Sequence, residues 1–323
     1  MALKVLISAP YMLPIVDRFR PIFKSAGISL ITPHVEERLT EDELLPYAGE
    51  VDGVICGDDR FTADVLEQFA PRLKVISKWG TGIDSIDQES AGRLGIAICN
   101  TPGAFTEPVA DSVMAYILAF ARRLPWIDQR MKAGQWAKIP GRSLAECTLG
   151  VVGVGKIGRA VLKRGCAFGM RLLGNDIIEI EEAFIRQVGV EMMPLHKLLA
   201  ESDFVSLNCD LNPTSYHLLN REAFSHLQPQ AVVINTARGP VVDEEALIEA
   251  LQAGRIAGAG LDVYEDEPLP KDSPLRTMDD VLLAPHNANA SPRAWERVHE
   301  NTIRNLFQGL GLTWKEEFYP ASE

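Results

Sequence analysis

The chain alternates between short apolar runs and longer amphipathic ones. Residues 3–8, 28–32, 51–56, 73–78 and 96–100 are dense in Val, Ile and Leu. Several of these runs are apolar throughout rather than at every second position, the mark of strands buried on both faces. Between them lie helical patterns: one around 15–25, broken or kinked at Pro21, and a short one opened by Thr40 with Glu43 as capping-box partner. A third covers 62–69, with Thr62 as N-cap. The turn residues Thr101-Pro102-Gly103-Ala104 read as a linker. Beyond it the alternation resumes. Strands are expected at 148–152, 171–174, 204–209, 231–237, 258–263 and 281–284, and helices at 107–123, 194–200, 221–227, 243–252 and 292–310. Helix 107–123 is apolar nearly all round, so it is expected to be buried on several sides. Strand and helix alternating in this way predict an α/β fold with doubly wound parallel sheets. A length of 323 residues allows two domains, each with its own core.

One stretch carries chemistry. The apolar strand 148–152 runs into Gly153-Val154-Gly155-Lys156-Ile157-Gly158, then a helical pattern, then a second apolar strand ending at Asp176. Gly153 permits the sharp strand-to-helix turn, Gly155 lets the backbone approach a pyrophosphate, and Gly158 allows close helix packing. The free amides of the helix's first turn, from Lys156 and Ile157 on, hold phosphates. Asp176, roughly twenty residues past the last glycine, suits the ribose hydroxyls and repels a 2′-phosphate. Ile177 and Ile178 follow it in place of an Arg, so the motif reads as NAD rather than NADP.

Composition narrows the rest. A net charge of −12 argues against nucleic acid or an anionic membrane as partner, and means that an anionic substrate needs local positive charge. Five scattered cysteines without a CxxC point to reduced thiols in a cytoplasmic protein, not to disulfides or a metal site. The start of the chain leads straight into a strand-like run, and no apolar stretch is long enough to span a bilayer.

Candidate chemistry lies where open α/β sheets place it, beyond the carboxyl ends of strands. Lys78-Trp79-Gly80-Thr81-Gly82 follows one strand, and the Thr81 and Gly82 amides are suited to grip a carboxylate. Arg238, Glu267 and His286 each follow a strand of the second half. An Arg orients a substrate carboxylate bidentately, and a His gives or takes the proton at a carbonyl oxygen. A carboxylate beside that His fixes its tautomer and favours imidazolium.

Six segments in order, KWGTGIDSID (78–87), NTPGAFTEPVAD (100–111), LGVVGVGKIGRAV (149–161), NTARGPVVDEEAL (235–247), GLDVYEDEPL (260–269) and APH (284–286), resemble the D-isomer-specific 2-hydroxyacid dehydrogenase family. The resemblance implies two doubly wound Rossmann-like domains with a cleft between them. An NAD-binding domain, 103–291, is inserted into a split substrate domain, 1–102 plus 292–323. It implies His286 as acid/base, Glu267 as its partner and Arg238 as substrate anchor, with Thr81 and Gly82 on the substrate carboxylate. Asp262 matches the acid near the nicotinamide carboxamide, and Val109 and Ala237 match positions lining the cofactor. The expected reaction interconverts a small 2-keto acid and the D-2-hydroxy acid, of phosphoglycerate or hydroxypyruvate/glyoxylate type, in a homodimer built partly on the helix at 111–123. Trp126 and Trp136 are candidate oligomer contacts.

Departures stand beside the match. Asp111 replaces the more usual Glu, Asn287 and Asn289 follow the His, and Gly57-Asp58-Asp59-Arg60 offers only Arg60 for a phosphate. An NAD(H)-sensing, corepressor-like interaction protein on the same scaffold is the alternative reading.

Overall fold

The structure is a computed structural model that describes residues 2–314. The part of the expected substrate domain beyond 314 lies outside the described residues. The chain divides into two compact units: one from the start to Phe105 and again from Ser291, the other Thr106–Ala290. The change of unit falls at the start of a long helix, a few residues past the turn at Pro102.

The first unit holds β1 (Leu3–Ile7), α1 (Arg20–Ser25), β2 (Ile28–Ile31), α2 (Glu41–Leu44), β3 (Gly53–Cys56), α3 (Ala63–Phe69), β4 (Val75–Lys78), α4 (Gln88–Leu94) and β5 (Ala97–Cys99). Its strands are all parallel, in the order β2-β1-β3-β4-β5. The order therefore reverses between β1 and β3, and the carboxyl ends of those strands frame a ligand crevice by the general rule for open sheets. Pro21 does not kink a helix. A 3₁₀ turn, Leu13–Arg18, precedes α1, and Pro21 sits in the first turn of α1, where its missing N–H leaves no bond unmade. Thr40 and Glu43 form the capping box. Thr62 stands at the N-cap of α3, but its hydroxyl donates to Glu41 Oε2 (2.9 Å) instead of accepting from the helix.

The C-terminal helix, Pro292–Gly309, belongs to this unit and packs on β3 and β4. A Cβ added at Gly53 would stand 2.8 Å from Leu306 Cδ1, so the strand and helix meet at a glycine. Ser77 Oγ donates to the Thr302 carbonyl (2.8 Å) across the same contact. At its edge Tyr11 stacks on Trp79, and Trp295 meets both rings. The Trp79 indole N–H donates to Nδ1 of the buried His299 (2.9 Å).

The second unit runs α5 (Thr106–Arg122), α6 (Leu124–Lys132), β6 (Thr148–Val152), α7 (Lys156–Ala167), β7 (Arg171–Asn175), α8 (Glu182–Val188), β8 (Glu191–Met192), α9 (Leu195–Glu201), β9 (Phe204–Leu207), α10 (Arg221–His226), β10 (Val232–Asn235), α11 (Glu244–Gln252), β11 (Gly258–Leu261) and β12 (Val281–Leu283). The C-terminal helix is thus α12. The seven strands are parallel in the order β12-β11-β10-β9-β6-β7-β8. Counted within the unit from β8, that is third, second, first, fourth and onward, the order of dinucleotide-binding sheets, with the reversal between β6 and β9. Both units are α/β, doubly wound and Rossmann-like.

Cores lie on both faces of this sheet. Leu198, Phe224, Leu247 and Leu251 cover one face, and Val113, Ile117, Val161 and Leu162 the other. Helix α5 packs against α7 and β10 with Val113, Ile117 and Phe120 buried. Asn220 and Asp243 cap α10 and α11 through their side chains, each worth about 1 kcal/mol. Trp126 is half-buried: its indole N–H donates to the Asp279 carbonyl (2.8 Å) and its ring meets Phe120 within the unit. Trp136, by contrast, is 86% exposed.

Candidate active site

In the second unit β6 delivers the chain into a glycine turn at the reversal point. Gly153 has φ +87°, and a Cβ there would lie 2.6 Å from the Cys209 nitrogen, on the loop after β9. A Cβ at Gly158 would meet the Gly153 carbonyl at 2.0 Å. Both positions are closed to any side chain. Gly155 differs, since an added Cβ would meet nothing within 4 Å. The space in front of the N-terminus of α7, beside Lys156 and Ile157, is open to a phosphate group. The residues present therefore fit a dinucleotide.

Asp176 follows β7. Its Oδ2 accepts the Val154 N–H (2.6 Å) and its Oδ1 accepts the Ile178 N–H (3.1 Å). The carboxylate ties the end of β7 to the glycine turn while it remains partly accessible.

Beyond β10, β11 and β12 the same unit gathers a second group. His286 Nδ1 lies 3.0 Å from Glu267 Oε2. The other Glu267 oxygen accepts the Tyr264 N–H (3.0 Å), so the carboxylate cannot turn away without losing a bond. Both side chains are mostly buried. His286 itself sits in the left-handed region at φ +51°, a strained place for a residue with a Cβ. Three bonds to Asp262 hold it there: His286 N–H to the Asp262 carbonyl (2.7 Å), and Asn287 and Ala288 N–H to the two carboxylate oxygens (2.7 and 2.9 Å). Burial of Asp262 pushes its carboxyl above the usual range, against the pull of those two amides and of His286. Asp262 thus fixes the backbone around His286, a role in addition to the cofactor contact that the family resemblance implies.

Arg238 follows β10 in extended backbone. Asn235 Nδ2 donates to its carbonyl (2.9 Å), and its own Nη1 donates to the Ala237 carbonyl (2.8 Å). Ala237 is held by its N–H on Asn235 Oδ1 (3.1 Å). Gly239 explains why the loop lies so tightly, since a Cβ there would fall 1.8 Å from the Tyr264 carbonyl oxygen. Val109 is buried on α5.

Three supports were not expected. The Tyr264 hydroxyl donates to the Ala284 carbonyl (2.8 Å), two residues before His286, with the Leu261 carbonyl 3.2 Å away. The Tyr116 hydroxyl donates to the Leu261 carbonyl (3.2 Å), and Ser112 Oγ donates to the Ala288 carbonyl (3.2 Å). Asp111 and Glu107 both pair with Arg164 of α7.

Thr81 and Gly82 belong to the first unit, after β4. The Thr81 hydroxyl donates to the Thr101 carbonyl (3.1 Å), Asn100 Nδ2 donates to the Thr81 carbonyl (2.5 Å), and Thr101 N–H donates to the Gly80 carbonyl (2.8 Å). The turn is braced from beneath by the segment after β5.

Comparison with known proteins gives the class. The family model "D-isomer specific 2-hydroxyacid dehydrogenase, NAD binding domain" matches residues 114–288. A glyoxylate reductase of Korarchaeum cryptofilum is 41% identical over 87% of this chain and 88% of its own length. A D-3-phosphoglycerate dehydrogenase of Methanocaldococcus jannaschii is 40% identical over 79% of this chain and 49% of its own. The structure resembles D-lactate dehydrogenase of Aquifex aeolicus complexed with NAD and lactic acid, with a TM-score of 0.81 and 31% identity over 93% of both chains. Fold, glycine turn and matches define an NAD-dependent oxidoreductase acting on CH–OH donors. The chain belongs to the D-isomer-specific 2-hydroxyacid dehydrogenase family. The comparisons give no support to the corepressor-like alternative.

Proposed function

We propose that the protein reduces a small 2-keto acid to the D-2-hydroxy acid, with glyoxylate or hydroxypyruvate as the preferred class. The observation that carries this is the His286–Glu267 pair at 3.0 Å, with Glu267 tied to the Tyr264 N–H and the backbone after His286 tied to Asp262. His286 gives the proton to the substrate carbonyl oxygen in reduction and takes it back in oxidation. Glu267 holds the ring by Nδ1, and Nε2 is the nitrogen that serves the substrate. Arg238 grips the substrate carboxylate, with the Thr81 and Gly82 amides as further donors. Gly153, Gly155, Lys156, Ile157 and Gly158 hold the cofactor phosphates, Asp176 its ribose, and Val109, Ala237 and Asp262 the nicotinamide end. NAD, when bound, supplies or accepts the hydride. In this reading the unit bearing Thr81 is the substrate domain and the unit bearing Gly153 the NAD domain.

The test is NADH oxidation against glyoxylate, hydroxypyruvate, pyruvate and phosphohydroxypyruvate, with NADPH in parallel. Turnover with NADH preferred supports the assignment. Bound NADH with no turnover on any of them overturns it.

The same reading places the protein in the cytoplasm as a homodimer. Support for the first is that the five cysteines are free thiols, one of them exposed. No helix among the described residues is long and apolar enough to cross a membrane. Support for the second is the exposed apolar run of Leu124, Met131 and Trp136 on and after α6.

A further inference from the structure

The first unit carries a charged cluster at its own topological reversal. Asp58 and Asp59 follow β3, Ser8 follows β1, and Lys78 ends β4. Asp59 is fully buried; it accepts the Leu39 N–H (2.6 Å) and the Ser8 hydroxyl. Burial pushes its carboxyl up to about 6, against those two bonds. Lys78 is also out of water, its side chain 4% exposed, and its Nζ lies 2.9 Å from Asp58 Oδ1. Its ammonium borders the Gly80 turn, about 4.0 Å from where a Gly80 side chain would start. The loops after β1 and β3 are pressed together, for a Cβ at Gly57 would meet Pro10 Cδ at 2.8 Å. The cluster has no room to rearrange freely.

Lys78 is therefore a buried cation directly preceding the carboxylate-binding turn, and its charge is already matched. Asp58 pairs with it and Asp59 stands behind, so these three side chains together carry no net positive charge, and Arg60, exposed at the end of the same loop, is the remaining cation there. A phosphate carries about −1.5 to −2 charges at neutral pH and needs cations or several donors around it. An aldehyde hydrogen, a methyl or a hydroxymethyl group makes no such demand, and a hydroxyl can donate to the outer oxygen of Asp58, which is 27% exposed. We propose that the Asp58–Lys78 ion pair is a specificity device that neutralises the cation at the substrate end of this unit, so that the enzyme accepts 2-keto acids with uncharged tails and rejects phosphorylated ones. The inference rests on the 2-keto acid reading above.

The experiment compares wild type, Asp58→Asn and Asp58→Asn/Lys78→Gln for kcat/KM on hydroxypyruvate and phosphohydroxypyruvate with NADH. Asp58→Asn keeps the shape and uncovers the cation. It is expected to raise the phosphorylated-to-unphosphorylated ratio at least tenfold, with the change in KM, and the double variant is expected to return it to the wild-type value. Asp58→Ser serves if the first variant does not fold. A wild type that uses both substrates equally, or an unchanged ratio in the variants, overturns the proposal. Thermal stabilisation by 3-phosphoglycerate is measured in parallel on the NADH-bound proteins and needs no turnover. If wild type reduces no keto acid, the reading of the reaction fails. The ion pair is then judged on binding alone: stabilisation of Asp58→Asn but not of wild type upholds it, and stabilisation of neither or both overturns it.

Discussion

The indole N–H of Trp79 donates to Nδ1 of His299 at 2.9 Å, and that bond exists only while the nitrogen is unprotonated. Burial lowers the His299 pKa to about 4. The unfolded chain then binds more protons than the native one between about pH 4 and 6.5, so this residue removes stability as pH falls through that window. The shift corresponds to roughly 3 kcal/mol. His299→Asn keeps an acceptor for Trp79 but does not titrate. Urea unfolding from pH 7 to pH 4 is expected to show the variant gaining on wild type as pH falls; parallel curves would remove the titration argument.

Asp59 acts in the opposite sense. Its native pKa of about 6 stands above the ordinary carboxylate value, so the native state holds the proton more tightly. Stability tied to it is present below about pH 4 and lost as pH rises through 6, again on the order of 3 kcal/mol. Asp59→Asn is expected to gain on wild type between pH 4 and 7. The two variants should therefore diverge in opposite directions over the same range.

Glu267→Gln keeps the size of the side chain and removes its charge. With the imidazole no longer held and balanced, kcat is expected to fall by about 10²–10⁴, the usual range for a disabled proton transfer. The KM for the keto acid should move much less, because the proposed carboxylate anchors, Arg238 and the Thr81 turn, are untouched. A rise in KM at constant kcat would place Glu267 in substrate binding instead.

Asp176→Ala removes both the proposed ribose partner and the tether on Val154 N–H. Two readouts separate the roles. The NADH-over-NADPH preference should fall by at least tenfold, and the apo protein should lose about 1–3 kcal/mol from the unsatisfied amide. Loss of stability with cofactor preference intact would make Asp176 a purely structural residue.

Trp136→Ser is expected to lower the mass seen by light scattering from two chains to one without unfolding the protein. A monomeric wild type, or a variant that stays dimeric, removes the arm after α6 from the interface.

What the sequence disclosed follows from which interactions leave a periodic trace. The strands β3, β9 and β10 are buried along their whole length and announce themselves as runs that are apolar except for Ser206 in β9 and Asn235 at the end of β10. Helix α8 and strand β8 were not foreseen, because the first starts in a Glu-rich stretch and the second is a two-residue edge strand. Helix α4 escaped for a related reason: its buried residues are Ser90 and Ala91, which give no hydrophobic signal. His286, Glu267 and Arg238 stood out as candidates because each follows a strand in an architecture that puts chemistry there, and the structure brings His286 and Glu267 together. Tyr264, Tyr116 and Ser112 were not, since each acts through a bond to a backbone carbonyl distant in sequence. The exposed Trp136 and the half-buried Trp126 look alike as letters. Only the Asp279 carbonyl tells them apart.

With the acid/base role proposed for His286, its left-handed backbone makes thermal robustness and activity competing goals at one position. Glycine adopts that conformation without strain, and asparagine tolerates it better than most residues with a Cβ. A library of variants sorted only for survival on heating would therefore be drawn toward His286→Gly or His286→Asn, and, on the acid/base role proposed for His286, would enrich for proteins that outlast the parent and reduce nothing.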